Sequence, residues 1–92
     1  MLIISRHAGA IEWLKQRGID GRVIEHATVD DIRGEDVIGN LPLALASCAA
    51  SVTTIDLPLL RPDQRGKDLS PEEMDEAGAC MRTFRVREVD LG

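Results

Sequence analysis

Four short apolar runs along the chain predict β-strands, and the first of them, which is rich in Ile, predicts a buried one. They cover residues 2–5, 21–27, 36–39 and 52–57, and Ile, Val and Leu supply most of their apolar side chains. Apolar runs of this length are typical of strands that lie inside a sheet. The alternating pattern of residues 85–92 fits either a fifth strand or a tail.

Helical patterns lie between these runs and after them. Residues 10–18 repeat apolar side chains at helical spacing and end near a glycine, and residues 28–31 have the spacing of a capping box before one helical turn. Residues 42–50 begin with proline and have an almost continuous apolar face, which predicts a third helix. Residues 70–84 begin with Ser-Pro-Glu-Glu, which combines a cap, a first-turn proline and a capping-box glutamate, and predict a fourth.

This alternation of strands and helices predicts one Rossmann-like α/β domain over residues 1–92, with helices on both faces of a mainly parallel sheet. In such sheets, ligands bind beyond the carboxyl ends of the strands. We therefore expect the site in the loops after the first, third and fourth strands. The last of these loops, residues 59–69, is the longest segment without regular periodicity, and long connections in compact domains are often functional.

The side chains expected at that edge of the sheet suit a polyanion. Arginine side chains match pairs of phosphate oxygens, and the backbone amides of Gly9 and Ala10 lie at a predicted helix start. Asn40 can bond to a base or a sugar. Residues 65–67 also fit a plain solvated run of charges. The full set is Ser5, Arg6, His7, Asn40, Arg61, Arg65 and Lys67.

His7 is the candidate proton-transfer group, because histidine accepts or donates a proton near neutral pH. Plainer roles stay open for the three residues after the first strand. His7 could be an ordinary loop histidine that bonds to the backbone, and Ser5 could be only a hydroxyl at a strand end. Arg6 could form a structural ion pair with Asp36 or Asp56.

Charge and composition narrow the class of protein. The net charge of −5 argues against a general binder of long nucleic acids but leaves room for a small anion held by a few local donors. No metal-ligand spacing is present, and Cys48 and Cys80 are expected to be reduced core residues. No apolar run reaches the length of a signal peptide or a membrane span, so we expect a cytoplasmic protein.

Three phrases, SRHAGAIEWLKQRG, GEDVIGNLPLALAS and LPLLRPDQRGKDLSPEEMDEAGA, occur in the order seen in a small CRISPR-associated family. Over roughly residues 3–84 the chain resembles this family, Csx-sixteen, which is similar to stand-alone ring nucleases of the CARF type. The resemblance implies a dimeric, CARF-like domain that binds cyclic tetra-adenylate, the second messenger of type III CRISPR systems, and linearises it. The matching positions are Ser5, Arg6, His7, Gly9, Trp13, Gly39, Leu41, Pro42, Arg65 and Gly66.

The resulting hypothesis is a metal-independent phosphodiesterase without a cofactor, in which a ribose 2′-hydroxyl attacks the adjacent phosphorus. A twofold homodimer would present the same loops to opposite phosphates, with the apolar face of residues 42–50 as the dimer contact. The hypothesis assigns catalysis to His7, Arg6 and Arg65, and ligand binding to Ser5, Gly9, Gly39, Asn40, Gly66 and Lys67.

Two other functions stay open. A binding module could sequester the cyclic nucleotide without cutting it. A histidine phosphatase is the second alternative, because RHAG after a strand is similar to the RHG turn of those enzymes. Their much larger domain, with a second distant histidine and arginine, and the displaced glycine of this chain argue against it.

Overall fold

Five strands and four α-helices alternate along residues 1–91, the part of the chain that the computed structural model describes. The strands are β1 (Leu2–Ile4), β2 (Arg22–Ile24), β3 (Asp36–Ile38), β4 (Ser51–Asp56) and β5 (Cys80–Phe84). The helices are α1 (Ala8–Gln16), α2 (Val29–Ile32), α3 (Leu43–Ala46) and α4 (Pro71–Glu76), and a single 3-10 turn spans Pro62–Gln64. The first four strands lie where the apolar runs predict them.

The strands form one sheet in the order β2-β1-β3-β4-β5. The first four are parallel, with Ile3 beside Ile38 and Val37 beside Val52. The edge strand β5 runs antiparallel to β4. The predicted mainly parallel sheet is therefore confirmed, and the architecture is an α/β fold compatible with the Rossmann-like class.

Two apolar clusters, one on each face of the sheet, form the core. Ile3 and Ile38 pack with Trp13 and Leu14 of α1 and with Met74 of α4. On the other face, the cluster is built from Leu2 and Val37 of the sheet and Ile32 of α2, with Leu45 of α3 packed against it. Neighbouring strand residues point to opposite faces, so the inner strands β1 and β3 each contribute to both clusters.

Helix α4 is much shorter than the predicted helix over residues 70–84. Its amino end is as predicted, because the Ser70 side chain and Glu73 form a capping box. The helix ends at Glu76, and Gly78 then adopts a φ of 76°. The Ala79 N–H donates to the Met74 carbonyl oxygen at 3.0 Å, which completes a glycine stop of the Schellman type. Residues 80–84 of the predicted helix form β5 instead.

The residues of β5 are exposed, which overturns the expectation that Cys80 lies in the core. Cys48 is half-buried and packs against the cluster on the α2 and α3 face, and both cysteines are free. Residues 85–91, which follow β5, are irregular. The alternative of a further strand over residues 85–92 is therefore wrong for residues 85–91. Residue 92 lies outside the described residues.

Helix α3 is also shorter than the predicted helix over residues 42–50. Pro42 is its cap, and the helix ends at Ala46. The chain beyond it bonds to the segment before β3 instead, because the Ala50 N–H donates to the Glu35 carbonyl oxygen at 2.8 Å. Most apolar side chains of this stretch pack on the core of the same chain, whereas Leu43 is 75% exposed.

The longest element of residues 1–91, α1, has 9 residues, far below the ~20 that a bilayer requires. None of the described helices is long and apolar enough to span a membrane.

Candidate functional site

The turn between β1 and α1 exposes two side chains, Arg6 and His7, at the carboxyl edge of the sheet. The Ser5 N–H donates to the Ile24 carbonyl oxygen at 3.1 Å and so extends the pairing with β2. The Ser5 Oγ accepts a hydrogen bond from the His7 N–H at 3.1 Å. This bond turns the chain sharply into α1, which begins at Ala8. Ser5 therefore shapes the turn.

The loop after β3 lies next to this turn. Gly39 makes the approach possible, because a Cβ at this position would lie only 2.9 Å from the Ile4 carbonyl oxygen. Together the two loops border a cavity of about 370 Å³. The cavity brings together five of the residues that the sequence nominates: Ser5, Arg6, His7, Gly39 and Asn40.

Two further cavities adjoin the first and share residues with it. His7 also lines a cavity of about 210 Å³, together with Gly66 and Lys67. Asn40 also lines a cavity of about 690 Å³, together with Arg65. The loop after β4 thus contributes to both of these cavities, with Gly66 and Lys67 in the one that His7 lines and Arg65 in the one that Asn40 lines.

Gly9 has a packing role in this structure. A Cβ added at Gly9 would lie 1.7 Å from the Leu69 carbonyl oxygen, which is far inside van der Waals contact. Helix α1 therefore rests directly on the backbone of the loop that precedes α4. The contact sets the position of Leu69, and with it that of the neighbouring residues Lys67 and Asp68.

A buried amide holds the other part of the same loop. Gln64 is buried, at 9% exposure of the residue, and its Oε1 accepts a hydrogen bond from the Arg61 N–H at 3.1 Å. The Lys67 N–H donates to the Gln64 carbonyl oxygen at 3.2 Å. Sequence reasoning missed Gln64, because a glutamine in a polar loop gives no sign that it will be buried.

Three basic side chains around the cavities have no acidic partner within residues 1–91: Arg6, Arg65 and Lys67. The structural ion pair considered for Arg6 is absent from this part of the chain. Asp56 pairs with Arg82, and Asp36 accepts a hydrogen bond from the Ser51 hydroxyl at 2.7 Å. By contrast, Arg61 is paired with Asp63 at 3.2 Å, so it is the least available of the nominated arginines.

One acidic residue also belongs to the site and was not expected. The carboxylate of Asp68 is hydrogen-bonded to Nδ1 of His7, across 61 residues of sequence. Both side chains are largely exposed, at 62% for His7 and 68% for Asp68. No spacing rule links two residues so far apart, and Asp68 follows a Lys in a charged loop, so the sequence alone offered no signal.

The donor set at this edge fits an anion better than a cation. Arginine and lysine bind phosphate or carboxylate oxygens through charge-assisted hydrogen bonds. Within residues 1–91, no group of three or more His, Cys, Asp or Glu side chains is placed to hold a metal ion. Glu25 lines the first cavity, whereas Asp68 does not.

Comparison with protein families gives one match over most of the chain. The model of the family described as "Putative CRISPR-associated protein (Cas_VVA1548)" matches residues 2–87. Comparisons with curated proteins and with solved structures give no match. Because the family model covers nearly the whole α/β domain, including β1 to β5 and the loops that border the cavities, the chain belongs to this CRISPR-associated family.

Proposed function

We propose that this protein is a ring nuclease of type III CRISPR signalling, which binds cyclic tetra-adenylate and linearises it. The CRISPR-associated family and the sequence resemblance to Csx-sixteen and the CARF-type ring nucleases support the class of ligand. The observation that carries the proposal is the first cavity, in which His7 and Asn40 each connect to a neighbouring cavity that contributes Lys67 or Arg65.

The charges of this site match a ligand made of linked phosphates. Arg6, Arg65 and Lys67 have no competing acid within residues 1–91, so phosphate oxygens can take their donors without breaking an existing ion pair. The protein as a whole carries a net charge of −5, which disfavours long nucleic acids. Local cations on an acidic protein therefore suit a small, compact polyanion.

The reaction needs no group beyond those of the ligand, the site and water. His7 takes the proton of a ribose 2′-hydroxyl, whose oxygen forms a bond to the adjacent phosphorus while the bond to the 5′-oxygen breaks. The departing 5′-oxygen takes a proton from water or from an acid of the site, which leaves a 2′,3′-cyclic phosphate and a 5′-hydroxyl. Arg6 and Arg65 stabilise the negative charge that builds on the phosphate oxygens, and the cavity holds the attacking oxygen in line.

A homodimer belongs to the same proposal, because one copy has few free cations for four phosphates. Twofold symmetry would double the site around a ring that is itself symmetric. The exposed side chain of Leu43 on α3 and the exposed Phe84 on β5, both of which line one apolar groove, are the surfaces we propose for the contact. Most of the predicted contact face, residues 42–50, is used inside the chain, so the contact rests on fewer residues than expected.

The decisive experiment incubates the protein with cyclic tetra-adenylate in EDTA and separates products by liquid chromatography with mass detection. We expect linear products that end in a 2′,3′-cyclic phosphate. His7→Ala should slow their formation by about 10²- to 10⁴-fold and change the dissociation constant much less. Glu35→Gln is the control, because Glu35 is exposed and precedes β3 at the opposite edge of the sheet.

Two outcomes would overturn the proposal. If the ring binds tightly but is recovered intact, the protein is a sequestering module and not a nuclease. If the ring neither binds nor reacts, the cavities serve another anion. Equal cleavage rates for His7→Ala and wild type would show that His7 does not transfer the proton, and another group would then have to act as the base.

A further inference from the structure

Asp68 is a negative charge beside a site that is otherwise suited to anions. Its carboxylate lies on Nδ1 of His7, and Lys67, its neighbour in sequence, lines the cavity that His7 shares. A carboxylate at this position repels a phosphate ligand and so weakens binding. An exposed pair of this kind also contributes little to folding stability. Neither ligand affinity nor stability therefore explains the contact.

The contact does have a consequence for the imidazole ring. A neutral histidine carries one N–H and one lone pair, and the partner of one ring nitrogen decides which nitrogen is protonated. Asp68 is an acceptor, so it favours the tautomer with the proton on Nδ1. Nε2 is then the nitrogen that keeps a lone pair for a ligand proton.

We propose that Asp68 is a positioning residue, which fixes the tautomer and orientation of His7 so that Nε2 removes the proton of the 2′-hydroxyl. This inference rests on the proposed function, because it assigns a role in that reaction. Asp68 does not touch the reacting atoms. During the reaction, the proton passes to Nε2 and the imidazolium that forms is stabilised by the Asp68 carboxylate.

The loop is built to hold Asp68 in this place. On one side, the Lys67 N–H is bonded to the Gln64 carbonyl oxygen, and Gln64 is buried. On the other side, Leu69 rests on Gly9 of α1. Fixed points on both sides of a residue limit the positions its side chain can reach, as an orienting group requires.

The experiment measures single-turnover cleavage and binding of cyclic tetra-adenylate by wild type, Asp68→Asn, His7→Ala and the double variant, with Glu35→Gln as the control for loss of one carboxylate. Asp68→Asn should cut the rate by at least about tenfold. It should bind the ring as tightly as wild type or more tightly, because a negative charge is lost. In the His7→Ala background, the same substitution should change the rate by less than about twofold.

A spectroscopic measurement tests the contact between Asp68 and His7 independently of ring cleavage. The ¹⁵N chemical shifts of His7 should report a proton on Nδ1 in wild type and a mixture of tautomers in Asp68→Ala. If His7 shows the same tautomer in both proteins, the positioning role is wrong.

The kinetic outcomes separate this inference from the proposed function. If wild type cleaves the ring and Asp68→Asn cleaves it equally fast, the inference fails and the proposed nuclease activity stands. The same holds if Asp68→Asn slows cleavage by the same factor in the His7→Ala background as in wild type. If wild type leaves the ring intact, the proposed function fails, and the role of Asp68 in that reaction fails with it.

Discussion

Replacing Gly9 with alanine should destabilise the protein, although alanine is the better helix former. The new Cβ would lie 1.7 Å from the Leu69 carbonyl oxygen and 2.9 Å from its carbon. A carbon and an oxygen normally approach to about 3.3 Å, so α1 and the loop must separate by roughly 1.5 Å. Overpacking against a backbone atom costs about 3 kcal/mol, and helix propensity returns about 1 kcal/mol. We expect a net loss of about 2 kcal/mol.

Urea denaturation followed by circular dichroism measures this loss. For a domain of 92 residues, about 2 kcal/mol corresponds to a drop in melting temperature of roughly 8–16 °C. Gly34→Ala is the control, because its φ is +74° and nothing lies within 4 Å of the added Cβ. The free energy of unfolding of that variant should fall by only about 1 kcal/mol, because of backbone strain. A Gly9→Ala protein as stable as wild type, or more stable, would refute the close contact.

Three further variants test other parts of the molecule. Asp75→Ala removes the acceptor that Trp13 Nε1 uses at 2.8 Å, and chemical denaturation should show a loss of about 1–2 kcal/mol. Arg65→Ala should weaken ring binding and cleavage together by roughly tenfold or more, as calorimetry and single-turnover kinetics will show; an unchanged affinity would place Arg65 outside the site. Hydrogen bonds from Thr28 hold the pKa of Asp31 below its ordinary value of 3.8, so the stability they add is present above that pH and is lost as the pH falls through the lowered pKa. Asp31→Asn should therefore show a smaller loss of stability on acidification than wild type.

Local chemistry explains why the first four strands and the helix starts were predictable. The inner strands β1 and β3 have three residues each and contribute apolar side chains to both faces of the sheet, and this leaves a clear apolar run in the sequence. The two capping boxes, Thr28 with Asp31 and Ser70 with Glu73, depend on residues three apart, and both form as predicted. Both kinds of signal lie within one short window of sequence.

The end of α4 was missed although a signal was present. Gly18 and Gly78 play the same role, since each adopts a positive φ just after a helix and the next N–H bonds back to the helix. The sequence prediction ends the first helix near Gly18 but extends the fourth helix beyond Gly78. What decided the outcome for residues 80–84 was pairing with β4, a partner more than twenty residues away in sequence. Such tertiary pairing overrides local propensity.

The residues of the candidate site also differ in whether a local sequence signal could predict their positions. The turn with Ser5, Arg6 and His7 follows from its place after β1, and the topology brings Asn40 beside it. Asp68 could not be predicted, because its contact with His7 depends on the path of a long loop and on the packing of Leu69 against a glycine of α1. Loops of this length have no periodicity from which a path could be derived.

The indole of Trp13 offers an intrinsic optical reporter. It is the single tryptophan of the chain, it is 2% exposed, and the Arg17 guanidinium lies 4.0 Å from its ring centre. Its N–H bond to Asp75 ties α1 to α4, the two helices that flank the loop with Asp68. Its emission should therefore respond both to unfolding and to any shift of α4 on ligand binding, so one unlabelled sample can follow both events in the same cuvette.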